Sequence, residues 1–470
     1  MTTDGRTDGR TDKRGVRRLG WVLLVLAVSP SVRQSVCQET SVTIYSDGRL
    51  LVRRTIPTAV ARGTSTVVAD LGVREADPSS FVSLDSTVQI RGIRVFGATG
   101  ADGSLRRSLG YDLVFRVGPD SAPRYLRGTL LSLDPPAVRT DGYVLYGMPG
   151  TPVFPDSMVQ LLPRVEVTVD ASRAANSLRL MYLSNGLSWA ASYAVVLPRG
   201  GAGTAAITGS AQIDNGGAVT LPGAQVQLLA GTVRRVQSPR PMAAMRAGVS
   251  GAVALDAVEA EPTDEALGGT HVYTLPGTVD FAPGETRTVA LFSRAAAAVE
   301  PEFTLRQSYG MNGPWPDAMR DLHPDIGYRV RRPAASPFGS TPLPAGNVRV
   351  YESDESGRPQ LVGEAAIAHT PAGRDLRVTT GTAFDVTATR TQTAFERHGD
   401  RETVSAYRVE IQNAKTQPVV VQVTDQCPGR CEIVSSSLPG EQPSVASVSF
   451  RVTVAAGGSA TLQYQLRARW

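Results

Sequence analysis

The stretch Ser447–Trp470, SVSFRVTVAAGGSATLQYQLRARW, decides the fold class. Val448, Phe450, Val452 and Val454 alternate with other residues, Gly457-Gly458 offers a turn, and Leu462, Tyr464, Leu466 and Ala468 alternate again. A side-chain period of two sends one face of each run to a core and the other to water, which suits antiparallel strands in a sandwich and not a doubly covered parallel sheet. The same grammar recurs upstream. Val42 and Ile44 alternate before Asp47-Gly48 and a return run from Leu50 to Ile56. Val279 and Phe281 lead through Ala282-Pro283-Gly284-Glu285 to Val289 and Leu291, again the signal of a hairpin. Sustained helical periodicity is absent, and Asp317 to Leu322 is a short helical candidate. The expectation is a mainly β chain of consecutive antiparallel β-sandwich or barrel-like domains with few helices.

Composition agrees. A chain of 470 residues, 41% hydrophobic and 19% charged, is long enough for several domains and too apolar for disorder throughout. Its 46 glycines and 32 prolines against 3 cysteines favour many short elements joined by turns and exclude a disulfide-dense miniprotein. The net charge of +5 is concentrated at the start: residues 1–37 hold seven of the 48 basic and three of the 43 acidic residues, leaving 41 against 40 elsewhere. That balance removes the electrostatic case for nucleic acid. Lys13 and Lys415 are the only lysines, and the remaining basic residues are arginines, an arginine bias that reflects codon usage.

Met1 to Gly20 is polar and basic and runs into the apolar stretch Trp21 to Val28, well short of the roughly 20 residues a membrane-spanning helix needs. Residues 1–37 therefore read as a signal peptide, cut after Ser35-Val36-Cys37 so that Gln38 begins the mature chain, with an uncleaved membrane anchor as the alternative. Gln34, Ser35 and Val36 before Cys37 argue against lipid attachment. The expected location is exported, periplasmic or extracellular, with no membrane span after signal removal. Beyond the signal lie an N-terminal β region, 38–164, and a C-terminal β region, 165–470, divided at the Pro-rich stretch from Pro149 to Pro163. Val233 to Gly269, rich in Ala, Gly, Pro and acidic residues, reads as a mobile insertion. The stretch from about Gln307 to Gly346 reads as a long ordered loop without a strand of its own.

Chemical motifs are scarce. Neither lysine follows a glycine, which excludes a Walker loop, and Gly201-Ala202-Gly203 lacks the third glycine of a dinucleotide fingerprint. There is no Gly-x-Ser-x-Gly elbow and no His-Glu-x-x-His pair, and His271, His323, His369 and His398 are scattered. Glu352, Asp354 and Glu355 before Gly357 cluster oxygen ligands, but the spacing is that of a solvated hairpin tip and not of an EF-hand. Trp189 and Tyr193 fit either a sugar-stacking platform or a core cluster, the core being preferred. No catalytic residue, cofactor or metal ligand is assigned. Cys427-Pro428-Gly429-Arg430-Cys431 is the most concrete feature: Pro-Gly reverses the chain, and an exported protein would close a structural disulfide there, at a hairpin end.

Tyr182-Leu183-Ser184-Asn185-Gly186-Leu187-Ser188-Trp189, followed by Tyr193, resembles the signature of domain of unknown function 4139, a family that includes the mucoidy-inhibitor-A-like proteins. Further pieces stand in the family's order. They are Ile213-Asp214-Asn215 with Leu228 to Gly231, Leu343 to Gly346 with Val348 to Tyr351, and Gly381 to Val386. The similarity covers about residues 165–470, with Val42 to Leu71 resembling the family's N-terminal β module. It implies an envelope-associated β protein without an established reaction, in which Trp189, Tyr193, Asn215, Gly231, Gly346 and Gly381 are structural signature positions. The coiled coil of longer relatives is missing here.

Three functions are compatible with these readings. The first is a non-enzymatic component of the cell envelope that binds or organises an envelope protein or glycan. The second is a hydrolase of envelope polysaccharide or peptide, using carboxylates such as Asp385 with a distant glutamate. The third is a subunit that pairs with a partner through an exposed strand edge. Oligomeric state is not legible.

Overall fold

The structure is a computed structural model that describes residues 39–97, 99–160, 163–217, 219–234, 263–310 and 313–470. The expected signal peptide and most of the expected insertion, 235–262, lie outside the described residues. Strand accounts for 62% and helix for 5%, so the chain is mainly β with several sheets. The two α-helices among the described residues, Gly100–Arg107 and Pro337–Ser340, are short. No helix among them is long and apolar enough to cross a membrane.

Among the described residues the strands group into five sheets around three cores. Thr40–Tyr45 and Arg49–Val60 form the first expected hairpin, with Gly48 at φ 85° in its turn. A lone hairpin cannot bury its apolar face. Here Thr40–Tyr45 also pairs in parallel with Ala224–Ala230, and Arg49–Val60 pairs with Ala175–Asn185. Strand pairing therefore crosses the boundary expected between residues 164 and 165. Val88–Phe96 and Gly63–Ala69 flank Arg164–Ala171 in a three-stranded sheet whose Val67, Val165, Val167 and Val169 join the same large core.

Thr286–Ser308 ties this core to the next one. Its first part pairs with Gly203–Asp214 and its last residues pair in parallel with Val419–Gln426. Leu291 and Val299 accordingly sit in the large core, and Phe303 and Leu305 in the C-terminal one. The turn at Ala282–Glu285 forms, with Gly284 at φ 74°, but Val279 bridges Ala224 and does not enter a hairpin with Val289.

The terminal stretch holds the main correction to the sequence reading. Ser447–Val454 pairs with Val419–Gln426 in a ten-stranded sheet. Ser459–Arg469 lies between Glu402–Asn413 and Arg430–Ser436 in a separate five-stranded sheet. Gly457, at φ 61°, thus carries the chain over the edge of a sandwich, and the two alternating runs share the core between its layers. Cys427 and Cys431 bracket a second such crossing, from Val419–Gln426 to Arg430–Ser436. The expected hairpin end there is an arch between sheets. The two cysteines are bonded, with Cα atoms 5.6 Å apart.

Other expectations also give way. Thr263–Leu267, inside the expected mobile insertion, pairs with Thr270–Thr274. Met319–Leu322 is a strand on Val386–Arg397 and not a helix. Asp325–Val330, in the expected loop, pairs with Thr286–Ser308 and with Leu376–Thr382. In each case the short segment adopts the conformation that a neighbouring strand edge can hydrogen-bond.

Candidate functional site

Between the strands Val88–Phe96 and Arg164–Ala171 the chain builds a small sheet in the order Thr151–Val153, Asp112–Val117, Arg124–Leu133, Pro136–Thr140, Tyr143–Tyr146. Leu113, Phe115, Leu130 and Val138 fill its inner face, with Leu105 of the helix Gly100–Arg107 packed on them. The register places Tyr125, Arg127, Arg139, Val144 and Tyr146 on the other face, opposite in parity to these core residues. All five are exposed, Tyr125 at 66% and Tyr146 at 82%. The Arg127 and Arg139 side chains make no ion pair or hydrogen bond among the described residues.

The sheet's two edges differ. Thr151–Val153 is three residues long and carries Pro152, which blunts it. Tyr143–Tyr146 is uncharged, exposed along its length and paired on one side only. It is joined to Pro136–Thr140 through Asp141-Gly142, at φ 45° and 82°, the mirror-image turn that fits strand twist. Gly147 N–H donates to Pro136 C=O, so by the alternation of an antiparallel ladder Val144 and Tyr146 direct their N–H groups outward. This is an unguarded template for another strand.

The C-terminal sandwich holds an opposite kind of polar feature. Arg390 is completely buried, and its Nη2 donates to both oxygens of buried Asp425, at 2.7 and 2.9 Å. Its Nη1 donates to Ser308 C=O at 3.1 Å, and the guanidinium lies 4.0 Å from the Tyr407 ring centroid and 5.1 Å from that of Trp315. Tyr464 O–H also donates to Asp425. Burial pushes the Asp425 carboxyl up, against the pull of Arg390 and Tyr464. Burial works against the Arg390 charge as well, but Asp425 and the two tyrosines outweigh it and hold the guanidinium protonated. A second buried arginine, Arg332, donates to the carbonyls of Pro371, Arg374, Phe338 and Thr341, and lies over the Phe338 ring. Burial lowers its pKa from the ordinary value. It fastens Pro337–Ser340 to the turn at Pro371–Arg374. Both arginines were missed. Arg390 stands in phase with inward Val386 and Ala388, which was a legible signal.

The residues singled out from sequence occupy separate places. Trp189 and Tyr193 are buried on Ser188–Leu197; Tyr193 O–H donates to Pro344 C=O at 2.8 Å, and Trp189 Nε1 has no hydrogen-bond partner among the described residues. Gly346 lies so close to Ala191 C=O that a Cβ would stand 2.2 Å from it, which makes the parallel pairing of these strands a glycine requirement. Asn215 is buried and pins two turns, donating to Val219 and Ala282 C=O and accepting from Val219 N–H. Gly231 is held at φ 122° against Thr270, whereas Gly381 has open space around it. The four histidines engage four different neighbours: His271 with Asp264, His323 with Ala383 C=O, His369 with Ala345 N–H, and His398 with Glu396. Glu352 accepts from Gly200 N–H, Glu355 pairs with Arg199, and Asp385 with Lys415. Asp354 closes its own turn, accepting from Ser356 and Arg358. Among the described residues no cluster of three His, Cys, Asp or Glu is placed to hold a metal.

Two concavities stand out, of about 440 Å³ on the terminal five-stranded sheet and about 280 Å³ between Phe292 and Phe338, and no carboxylate lines either. The family model described as Domain of unknown function (DUF4139) matches residues 178–470. No curated protein matches the chain. The small sheet lies outside the matched residues.

Proposed function

The chain belongs to the family of the domain of unknown function DUF4139, and from that premise we propose that it is a non-enzymatic binding or scaffolding component of the cell envelope. In this reading it is exported, loses residues 1–37 after Cys37, and works outside the cytoplasmic membrane. The observation that carries the reading is the bare edge Tyr143–Tyr146. Edges of this kind are normally blunted by charge or proline, so an uncharged apolar one is kept where a partner covers it. A partner strand would hydrogen-bond to the outward N–H groups of Val144 and Tyr146, with the tyrosines giving side-chain contact. The separate engagements of Glu352, Asp385 and His369 add support, because none of these groups is aimed with a second one at a common point.

Deletion-strain complementation tests the proposal. Val144→Pro removes an outward N–H without touching the hairpin ladder, and it is expected to abolish rescue. His369→Ala, Asp385→Asn and Glu352→Gln are expected to rescue fully. Turnover of an envelope glycan or peptide by the purified protein, lost in one folded acid or histidine variant, would replace this reading with the hydrolase one.

A further inference from the structure

The outer face of the terminal five-stranded sheet carries a polar groove of about 440 Å³. Its shape follows from two β-bulges at one level, at Gln392/Ala394 on one side and Ile433/Ser435 on the other. Bulges bend the strands that carry them, and the row between them is Ala394, Ala406, Gln465, Ser435. Ala406 leaves the floor low, while Arg408 and Gln463, directly opposite each other, rise beside it. Beneath this row, on the inner face, the paired Tyr407 and Tyr464 are locked by Arg390 and Asp425.

Of the groups that line the groove, the Ser436 hydroxyl donates to Leu438 C=O and the Ser437 hydroxyl accepts from Gln463 N–H, while others have no partner among the described residues. Arg408 makes no ion pair or hydrogen bond among the described residues, and the same holds for the side chains of Gln463, Gln465, Thr393 and Ser435. On the same face Arg467 pairs with Glu402 and Glu432, and Arg469 with Glu402, while the Arg430 side chain, opposite Arg469 and outside the groove, makes no ion pair or hydrogen bond among the described residues. Glu410 lies two residues along from Arg408 on the same face and outside the groove.

We propose that this groove binds a saccharide bearing a carboxylate. Amides and hydroxyls both donate and accept, which suits the vicinal hydroxyls of a sugar, and an unmatched guanidinium suits the planar, bidentate carboxylate. A peptide fits less well, because the groove floor is made of paired strands and offers no apolar pocket. The site lies in a different sheet from the Tyr143–Tyr146 edge, so the two proposals stand or fall separately.

The test is calorimetric titration of the full chain with tetragalacturonate, tetraglucuronate, the methyl ester of each, and neutral galactotetraose. Saturable binding of at least one uronate is expected. Arg408→Ala should weaken it at least tenfold, methyl esterification should weaken it equally, and Gln465→Ala should weaken it several-fold. Tyr146→Ser should leave it unchanged. Arg408 is exposed and Gln465 partly exposed, and neither side chain makes a hydrogen bond among the described residues, so an unchanged melting temperature accompanies the loss. Failure of both uronates to bind, or affinity within twofold of wild type in Arg408→Ala, overturns the proposal. So does equal binding of acid and ester.

Discussion

The C-terminal sandwich and the small sheet at residues 112–153 are written in the same alternating sequence pattern, yet they treat their polar and aromatic residues in opposite ways. In the sandwich a second layer covers each sheet, so Tyr407, Tyr464 and Phe450 are buried and even an arginine is taken inside, matched by Asp425. In the small sheet one short helix covers one face, four residues make the core, and Tyr125 and Tyr146 are left in water. Alternation thus reports that a strand has two faces. Whether the second face finds a cover depends on how many layers the topology supplies, and that decides where recognition surfaces remain.

The largest expected effect lies in the sandwich. Arg390→Met leaves Asp425 buried without its partner and should destabilise the protein by about 3–5 kcal/mol in urea unfolding. Adding Asp425→Leu and Tyr464→Phe should restore most of that loss, because a buried ion pair is repaid poorly for its desolvation. If the triple variant is as unstable as the single one, the pair is a source of stability and the contrast with the small sheet must be redrawn.

Opening the disulfide comes next. Replacing Cys427 and Cys431 by serine should cost about 2 kcal/mol for so short a loop. Hydrogen exchange should then report faster opening in Arg430–Ser436, with the small sheet unchanged. On the small sheet, Tyr125→Ser and Tyr146→Ser should change stability by no more than about 0.5 kcal/mol, since neither ring is buried. A loss of 2 kcal/mol or more on thermal unfolding would mean that these rings hold the sheet together and are not a free surface.

The smallest effect sharpens the comparison at a place that belongs to neither region, the hairpin tip after Gly346–Ser353. There the Ser356 hydroxyl and the Arg358 N–H hold the partly exposed Asp354 carboxyl down at about 2. A depressed carboxylate contributes its stabilisation above the ordinary carboxylate range and loses it as pH falls toward 2. Carbon-detected NMR titration of Asp354 should follow that course. An ordinary midpoint would show that the turn is not closed in solution.

These contrasts also explain what could be read from the chain alone. The runs in Ser447–Trp470 were legible as strands, because alternation fixes each residue's face. Their partners were not, because Gly457-Gly458 serves equally to turn a hairpin or to cross between layers. Asp317 to Leu322 reads as helical because six residues carry too little periodicity to decide, and the state of Met319–Leu322 is set by the distant strand Val386–Arg397. Of the candidate surfaces, the bare edge was hidden for the same reason: the sequence marks Tyr143–Tyr146 as apolar, and only the strand order leaves it unpaired. The Arg408 groove depends on two bulges in strands that approach only after folding.

The placement of Ser459–Arg469 between Glu402–Asn413 and Arg430–Ser436 has a kinetic consequence. Those two flanking strands never pair with each other, so Arg430–Ser436 has no neighbour in its sheet until the later strand arrives. Such closure is non-local and slow compared with hairpin zipping. While it is pending, the newly made chain exposes two waiting strand edges. The interval before that last insertion is therefore when this domain is most open to capture by a chaperone or by another copy of itself.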